Sequence, residues 1–177
     1  MLLIDSHCHF DDQRFDPDRD QAYRRARDAG VAAQIVPGVQ SHWWPRVRQT
    51  CSRYSGLYPA YGLHPMFMAQ HRREDIDELE KWLQQEQPVA IGECGLDFFI
   101  DAPESRSQRD YFDAQLALAQ HYRLPVIVHA RRAVEDVINA VRSYPGVRGV
   151  VHSYSGSMQQ ALRLIDLGFL MSLGGPL

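Results

Sequence analysis

The sequence predicts an α/β fold with a parallel sheet, for which two architectures compete: an open doubly wound sheet and a TIM-type (β/α)8 barrel. Short apolar runs that suit buried strands alternate with helical patterns along the chain, giving about seven strands and six helices. No linker, repeat or low-complexity segment interrupts this alternation. The first strand is not followed by the G-x-G-x-x-G turn of dinucleotide-binding folds. This absence counts against an open sheet of the dinucleotide-binding type.

The predicted strands are short and apolar, as expected for strands buried on both faces of a parallel sheet. They cover residues 2–5, 31–39, 57–63, 89–96, 126–128, 149–151 and 169–173. The first helix has recognisable ends, because Asp16 and Pro17 supply an N-cap and a first-turn proline, and Gly30 ends the pattern. Further helical patterns cover residues 75–85, 109–121 and 158–167.

The composition narrows the class of protein. A chain of 177 residues with 45% hydrophobic content is long enough for a substantial core, and we expect one domain over residues 1–177. The formal charge of −3 gives no general attraction to nucleic acid or to anionic membranes, although a local basic patch is compatible with it. Because there is neither a secretory signal pattern nor a run long enough to span a membrane, we expect a cytoplasmic protein.

Polar side chains follow most of the predicted strands at their carboxyl ends, where active sites lie in parallel α/β folds. Strand alternation points His7 and His9 the same way, and two neutral imidazoles suit zinc, manganese or iron, although an H-x-H pair alone is a weak signal. The carboxylate of Glu93 lies between glycines and needs a partner to offset its burial, which a metal pair or an arginine would supply. The same edge is expected to carry His64, Asp97, His129 and His152.

Five motifs occur in the order and spacing of the TatD family, which the sequence resembles from Leu3 to its last residue. They are IDSHCHFDD at residues 4–12, GLHP at 62–65, GECGLDF at 92–98, PVIVHARR at 125–132 and VVHSYSGS at 150–157. Members of this family are metal-dependent hydrolases of the amidohydrolase type, many of them described as deoxyribonucleases. The resemblance therefore implies a (β/α)8 barrel that hydrolyses phosphodiester bonds, with DNA as the expected substrate.

The resemblance also implies a cofactor of two divalent metal ions, which would be zinc, manganese or magnesium. In the family pattern, the positions of His7 and His9 hold one ion, the position of Glu93 bridges both, and those of His129 and His152 hold the second. Two such ions can lower the pKa of a water molecule and neutralise charge on a phosphoryl oxygen. All five ligand positions are filled as the family requires.

Two further residues are expected to support this chemistry. His64 matches the histidine of the family's GxHP motif, which implies a catalytic role beside Glu93, through substrate contact or an extra metal ion. Asp97 is placed to orient a metal ligand through a hydrogen bond.

The substrate-binding residues are less sharply indicated. Arg131 and Arg132 follow His129 and suit a phosphate group, but they are equally compatible with surface arginines at the start of a helix. Ser155 lies where a helix begins, and its segment either receives a phosphate or serves as an N-cap. Trp43 and Trp44 are interpreted as packing at a helix start rather than as a base-stacking platform.

Members of the family continue past the point at which this sequence stops, and a (β/α)8 barrel seldom has fewer than about 200 residues. We therefore expect the single hydrolase domain to lack its last helix-strand-helix portion, together with an aspartate that completes the first metal site in the family. The exposed edges of an incomplete barrel would favour self-association.

Two alternative functions stay open on the sequence. The same metals would also serve hydrolysis of an ester, an amide or an aminoacyl-tRNA bond, because a fold does not determine a substrate. A truncated chain would otherwise be a catalytically silent protein that binds metal or takes part in an assembly.

Overall fold

The computed structural model describes residues 2–100 and 104–174. This part of the chain contains seven strands, all parallel, which lie side by side in chain order across one sheet. They are β1 (Leu3–Asp5), β2 (Val31–Pro37), β3 (Leu57–Tyr61), β4 (Ala90–Asp97), β5 (Val126–Arg131), β6 (Gly149–His152) and β7 (Phe169–Met171). The predicted number and order of strands is confirmed.

Six α-helices alternate with these strands in the described residues, as predicted. They are α1 (Arg19–Asp28), α2 (Trp44–Arg53), α3 (Glu74–Glu86), α4 (Ser105–Tyr122), α5 (Val134–Arg142) and α6 (Met158–Asp166). Short 3₁₀ turns at Gln13–Phe15, Ser41–Trp43 and Pro65–Gln70 follow β1, β2 and β3.

The first helix begins later than the sequence suggests. The expected N-cap, Asp16, lies in a turn before α1, which starts at Arg19. The carboxylate of Asp16 binds the guanidinium groups of Arg19 and Arg46 at 2.5 Å instead of capping the helix. Two ion pairs, one local and one with Arg46 of α2, therefore engage the side chain that local sequence rules assign to the helix end.

The sheet has two apolar faces. One packs against the helices in the main core, where Val126 and Val128 of β5 meet residues such as Phe112 and Leu116 of α4. The other face carries a smaller cluster that includes Ile127 of the same strand. Because side chains alternate along a strand, the sequence of β5 assigns His129 to the second face, which we call the inner face.

The sheet is strongly curled around this inner face. β1 and β6 are separated by four strands in the sheet, which would place them about 24 Å apart if the sheet were flat. Yet the rings of His7 and His152, which follow β1 and end β6, are stacked with centroids 3.6 Å apart. This curvature belongs to a TIM-type barrel rather than to an open doubly wound sheet, and the expected fold class is confirmed.

The outermost strands of the described sheet carry exposed apolar side chains. On β1, Ile4 is 72% exposed, and on β7, Leu170 is 71% exposed. Edges of this kind are open to pairing, so the self-association expected from the sequence stays a prediction. Within the described residues, no helix is both long and apolar enough to cross a membrane. The cytoplasmic location likewise stays a prediction.

Candidate metal centre

Glu93 lies at the middle of the candidate site, on the inner face of β4, and is 2% exposed. Each oxygen of its carboxylate faces a different pair of histidines. Oε2 lies 3.2 Å from His7 Nε2 and 3.4 Å from His9 Nε2. Oε1 lies 3.2 Å from His64 Nε2 and 3.3 Å from His129 Nδ1. One buried carboxylate therefore joins two groups of candidate ligand atoms.

Both groups have the spacing that a small divalent cation requires. Ligand atoms about 2.0–2.1 Å from a tetrahedral zinc ion lie about 3.3 Å from one another. The Nε2 atoms of His7 and His9 are 3.1 Å apart, and the four contacts with Glu93 span 3.2–3.4 Å. Imidazole nitrogen combined with carboxylate oxygen is a donor set that suits zinc and manganese. The residues on both sides of Glu93 thus fit a cation.

The protonation of these groups is set by burial and by their contacts. Burial acts to raise the pKa of Glu93, but hydrogen bonds from His129, His64, His7 and His9 outweigh it and hold the pKa well below its usual range. Burial acts to lower the pKa values of His9 and His129, but contact with the Glu93 carboxylate raises both on balance. The centre therefore keeps a buried anion, which favours the binding of a cation.

His64 differs from the other histidines in the roles of its two ring nitrogens. Its Nδ1 accepts a hydrogen bond of 3.1 Å from the backbone N–H of Met66, while its own backbone N–H donates to the carbonyl of Val39. Burial lowers the pKa of His64, so the ring stays neutral. A neutral imidazole whose Nδ1 accepts carries its proton on Nε2, which then donates to Glu93. This geometry favours a hydrogen-bonding role for His64 over a role as a metal ligand.

His129 has the opposite arrangement. Its Nε2 donates to Asp97 Oδ2 at 2.8 Å, so in the neutral ring that binds a cation the lone pair of Nδ1 is directed toward Glu93. Asp97 is fully buried, and its other oxygen accepts a hydrogen bond of 2.9 Å from the backbone N–H of Phe99. A carboxylate behind a histidine in this way fixes the tautomer that binds a metal through the opposite nitrogen. The arrangement agrees with the orienting role expected for Asp97.

His152, the fifth predicted ligand, lies beside the two groups rather than within them. Its register pairs it with His129 on the neighbouring strand, but its ring is stacked on His7 instead of facing Glu93. Its Nε2 lies 3.1 Å from Ser153 Oγ. Burial, followed by the influence of His7, lowers the pKa of His152 to about 4, so the ring is neutral.

The two predicted substrate-binding arginines share one aromatic partner. The guanidinium groups of Arg131 and Arg132 lie 3.7 Å and 4.4 Å from the centroid of the exposed ring of Phe99. Stacking on an aromatic face leaves the N–H groups of a guanidinium free to bind an anion.

A cavity of about 480 Å³ opens next to the second histidine group. It is lined by Arg131 and Ser155 together with His129 and His152. Ser155 is not the N-cap of α6, because Ser157 takes that position and forms a capping box with Gln160. The hydroxyl of Ser155 is therefore not used to begin the helix.

The five sequence motifs thus meet at one edge of the barrel-like sheet, around Glu93. The profile of the family described as TatD related DNase matches residues 4–177. The chain belongs to this family. The family expected from the motifs is confirmed by a match that covers almost the whole sequence.

Individual members of the TatD family are similar to this chain in both sequence and structure. YjjV from Escherichia coli, named as an uncharacterised metal-dependent hydrolase, is 40% identical over 99% of this chain and 69% of its own length. The crystal structure of that bacterium's YjjV superposes with a TM-score of 0.90, covering 96% of this chain and 66% of that one. A protein from Klebsiella pneumoniae named 3′-5′ ssDNA/RNA exonuclease TatD is 29% identical over 98% of this chain and 66% of its own length. The chain thus spans about two thirds of the length of these relatives.

Two buried glutamines of α4 support this TatD-type site, and we did not single them out in the sequence. The side chain of Gln108 bonds both the N–H and the carbonyl of Asp97, at 2.8 and 2.9 Å. The side chain of Gln115 likewise accepts from the N–H of Leu63 at 2.8 Å and donates to its carbonyl at 3.1 Å, next to His64. Their seven-residue spacing within an apolar helical stripe is the signal that would have identified them.

We expect Asp97→Asn to weaken metal binding by about 10–100-fold, the usual cost of losing a partner behind a metal ligand. Both carboxylate oxygens of Asp97 accept hydrogen bonds, whereas asparagine has one oxygen and leaves either His129 or the Phe99 N–H without an acceptor. Competition with a chelator measures the affinity. Asp166→Asn, at an exposed position on α6, is the matched control and should bind as the wild type does. Equal affinity in both variants would remove the orienting role of Asp97.

Proposed function

We propose that this chain carries the metal centre of a phosphodiesterase that hydrolyses nucleic acid, with DNA as the expected substrate. The observation that supports this most directly is the Glu93 carboxylate, whose two oxygens face two separate sets of imidazole nitrogens. Two divalent ions bound there, of zinc, manganese or magnesium, would activate a water molecule and neutralise charge on a phosphoryl oxygen.

The proposed ligands are the ring nitrogens that face Glu93. His7 and His9 would hold one ion through Nε2, and Glu93 would contribute one oxygen to each ion. His129 would hold the second ion through Nδ1, because its Nε2 donates to Asp97. The family pattern adds His152 to this second ion, which requires its ring to turn away from His7.

His64 has a separate part in this proposal. Its Nε2–H is a hydrogen-bond donor next to the reacting centre, and the ring cannot turn without losing the bond from the Met66 N–H. We propose that this single N–H holds the Glu93 carboxylate in the absence of metal and, once that carboxylate oxygen binds an ion, donates to a phosphoryl oxygen of the substrate. A donor held in place beforehand stabilises charge as it develops in the transition state.

The cavity beside His129 is the proposed site of the substrate backbone. Arg131 and Arg132 supply planar forks that match phosphate oxygens, and Ser155 supplies a hydroxyl. Stacking on Phe99 limits the freedom of both arginine side chains, which lowers the entropy lost when they bind an anion. The local cluster provides the positive charge that the overall formal charge of −3 does not.

Cleavage of a single-stranded DNA oligonucleotide tests the proposal. After removal of metal with a chelator, the chain is expected to leave the oligonucleotide intact, and zinc, manganese or magnesium should restore cleavage. An ester and an amide substrate are assayed in parallel. The Klebsiella relative's name supports the choice of single-stranded DNA and RNA over those substrates.

Two histidine variants make this test specific to the site. His129→Ala should reduce cleavage to the level of the chelated protein, whereas His121→Ala, at an exposed position on α4, should leave it unchanged. Cleavage that persists in the chelator would contradict the metal-dependent proposal. Turnover of the ester or amide without cleavage of DNA would contradict the proposed substrate.

A further inference from the structure

A second cavity adjoins the candidate centre on the side of His9, opposite the arginine cavity. It has a volume of about 320 Å³ and lies among the loops that follow β1, β2 and β3. Its walls include Trp43, Val39 and Phe67, and we call it the aromatic slot. Phe67 also meets the ring of His64 edge to face, with centroids 5.9 Å apart. The aromatic slot therefore borders the centre at His9 and, through Phe67, lies next to His64.

The structure separates the roles of the two adjacent tryptophans. Trp44 is fully buried, and its indole N–H donates to the carbonyl of Gly62 at 3.1 Å, so packing accounts for it as the sequence suggested. Trp43 is only half-buried and borders the aromatic slot. A large aromatic side chain that borders a cavity next to a reactive centre is a ready platform for a flat ligand.

The charges around the aromatic slot offer little attraction to a phosphate, because the one basic group among its lining residues, His9, is a proposed metal ligand. Asp11 and Asp12 line it, and the described chain places no lysine or arginine among its lining residues. Asp12 is already engaged by the guanidinium of Arg14, at 2.9–3.0 Å. The cavity on the other side of Glu93 has the reverse character, because Arg131 lines it. An anionic backbone and an uncharged aromatic ring would therefore go to opposite sides of the centre.

We infer that the aromatic slot binds one nucleobase of the substrate strand, stacked on Trp43 and Phe67, while the backbone runs past Glu93 toward Arg131. This inference rests on the proposed function and adds a subsite to it. Because every base has a π-face, a slot that holds the base by its face accepts all four bases with similar affinity. The subsite would fix which phosphodiester lies at the centre without reading the sequence.

Abasic scanning of a short oligonucleotide tests the inference. The probe is a fluorescent pentadeoxynucleotide with phosphorothioate linkages, which resist hydrolysis, made in five versions that each lack one base. Binding to the zinc-loaded chain is measured by fluorescence anisotropy. We expect one version to bind about 5-fold or more weakly than the complete probe, because stacking of a single base is worth that much. The other four versions should bind within about 2-fold of the complete probe.

Aromatic variants locate the effect. Trp43→Ala should bind the complete probe only as tightly as the wild type binds the sensitive abasic version, and it should bind all five abasic versions with the same affinity. Trp43→Phe should keep most of the difference in affinity between the complete probe and the sensitive abasic version. Tyr58→Ala, at an exposed position near the start of β3, is the matched control and should behave as the wild type.

A wild-type chain that cleaves the unprotected oligonucleotide but shows a flat abasic scan would overturn the aromatic slot alone. Failure both to bind and to cleave would overturn the proposed function together with the slot. A preference of more than about 10-fold among the four bases would also overturn the inference, because face stacking does not provide it.

Discussion

Glu93→Gln is expected to abolish tight binding of divalent cations on both sides of the candidate centre, with affinity falling by more than about 100-fold. Glutamine has nearly the same shape, but it offers one oxygen, and its amide nitrogen is a donor that cannot bind a cation. Either the His7 and His9 side or the His64 and His129 side must then face an N–H₂ group. Glu93 also supplies the only negative charge in either group of ligand atoms identified in the described residues, so the variant loses the charge that attracts the ion.

Equilibrium dialysis against zinc, followed by metal analysis, gives the number of ions per chain and their affinity. Glu74→Gln, at an exposed position in the first turn of α3, makes the same chemical change away from the centre and should retain the wild-type value. Circular dichroism confirms that the variant is folded. We expect the loss of affinity to increase from Glu74→Gln through Asp97→Asn to Glu93→Gln. Wild-type stoichiometry and affinity in Glu93→Gln would mean that this carboxylate does not join the two groups.

The part of the site that sequence reasoning predicted is the part that local rules determine. Alternation along a strand aims His7 and His9 the same way, and the carboxyl ends of parallel strands meet at one edge, which brings Glu93 and His129 to the same place. These rules need only local position, and they succeeded for His7 and His9 even though β1 ends at Asp5, before both residues. They hold whatever the curvature of the sheet.

The features that sequence reasoning could not supply depend on that curvature and on individual hydrogen bonds. His152 has the right strand position, but the curl brings β1 against β6 and its ring stacks on His7. The proton on His64 Nε2 follows from one backbone N–H, that of Met66. The hydrogen bonds of Gln115 join positions 52 residues apart in the chain, and those of Gln108 depend on how α4 folds back onto β4. In each case, the partner is decided by tertiary packing, which residue spacing does not encode.

Gly95→Ala is expected to lower the free energy of unfolding by more than about 4 kcal/mol, a loss that few single substitutions cause. Gly95 lies in β4 directly opposite His129 of β5. A Cβ atom built at Gly95 would lie 2.1 Å from the carbonyl oxygen of His129, and the backbone φ of +130° is one that side chains rarely allow. Both strands are in the buried centre of the sheet, so neither can move aside cheaply. Urea unfolding, followed by tryptophan fluorescence, measures the loss.

Gly146→Ala separates the cost of the positive φ from the cost of the close contact made by the added Cβ. Gly146 also has a positive φ, +88°, but a Cβ built there would have nothing within 4 Å. This variant should therefore lose only the conformational cost, about 1–3 kcal/mol, and should bind metal as the wild type does. Gly95→Ala pushes on the backbone that carries His129, so any folded fraction should also lose the His129 side of the metal centre. Equal destabilisation of the two variants would show that close contact between β4 and β5 at Gly95 is not what requires glycine there.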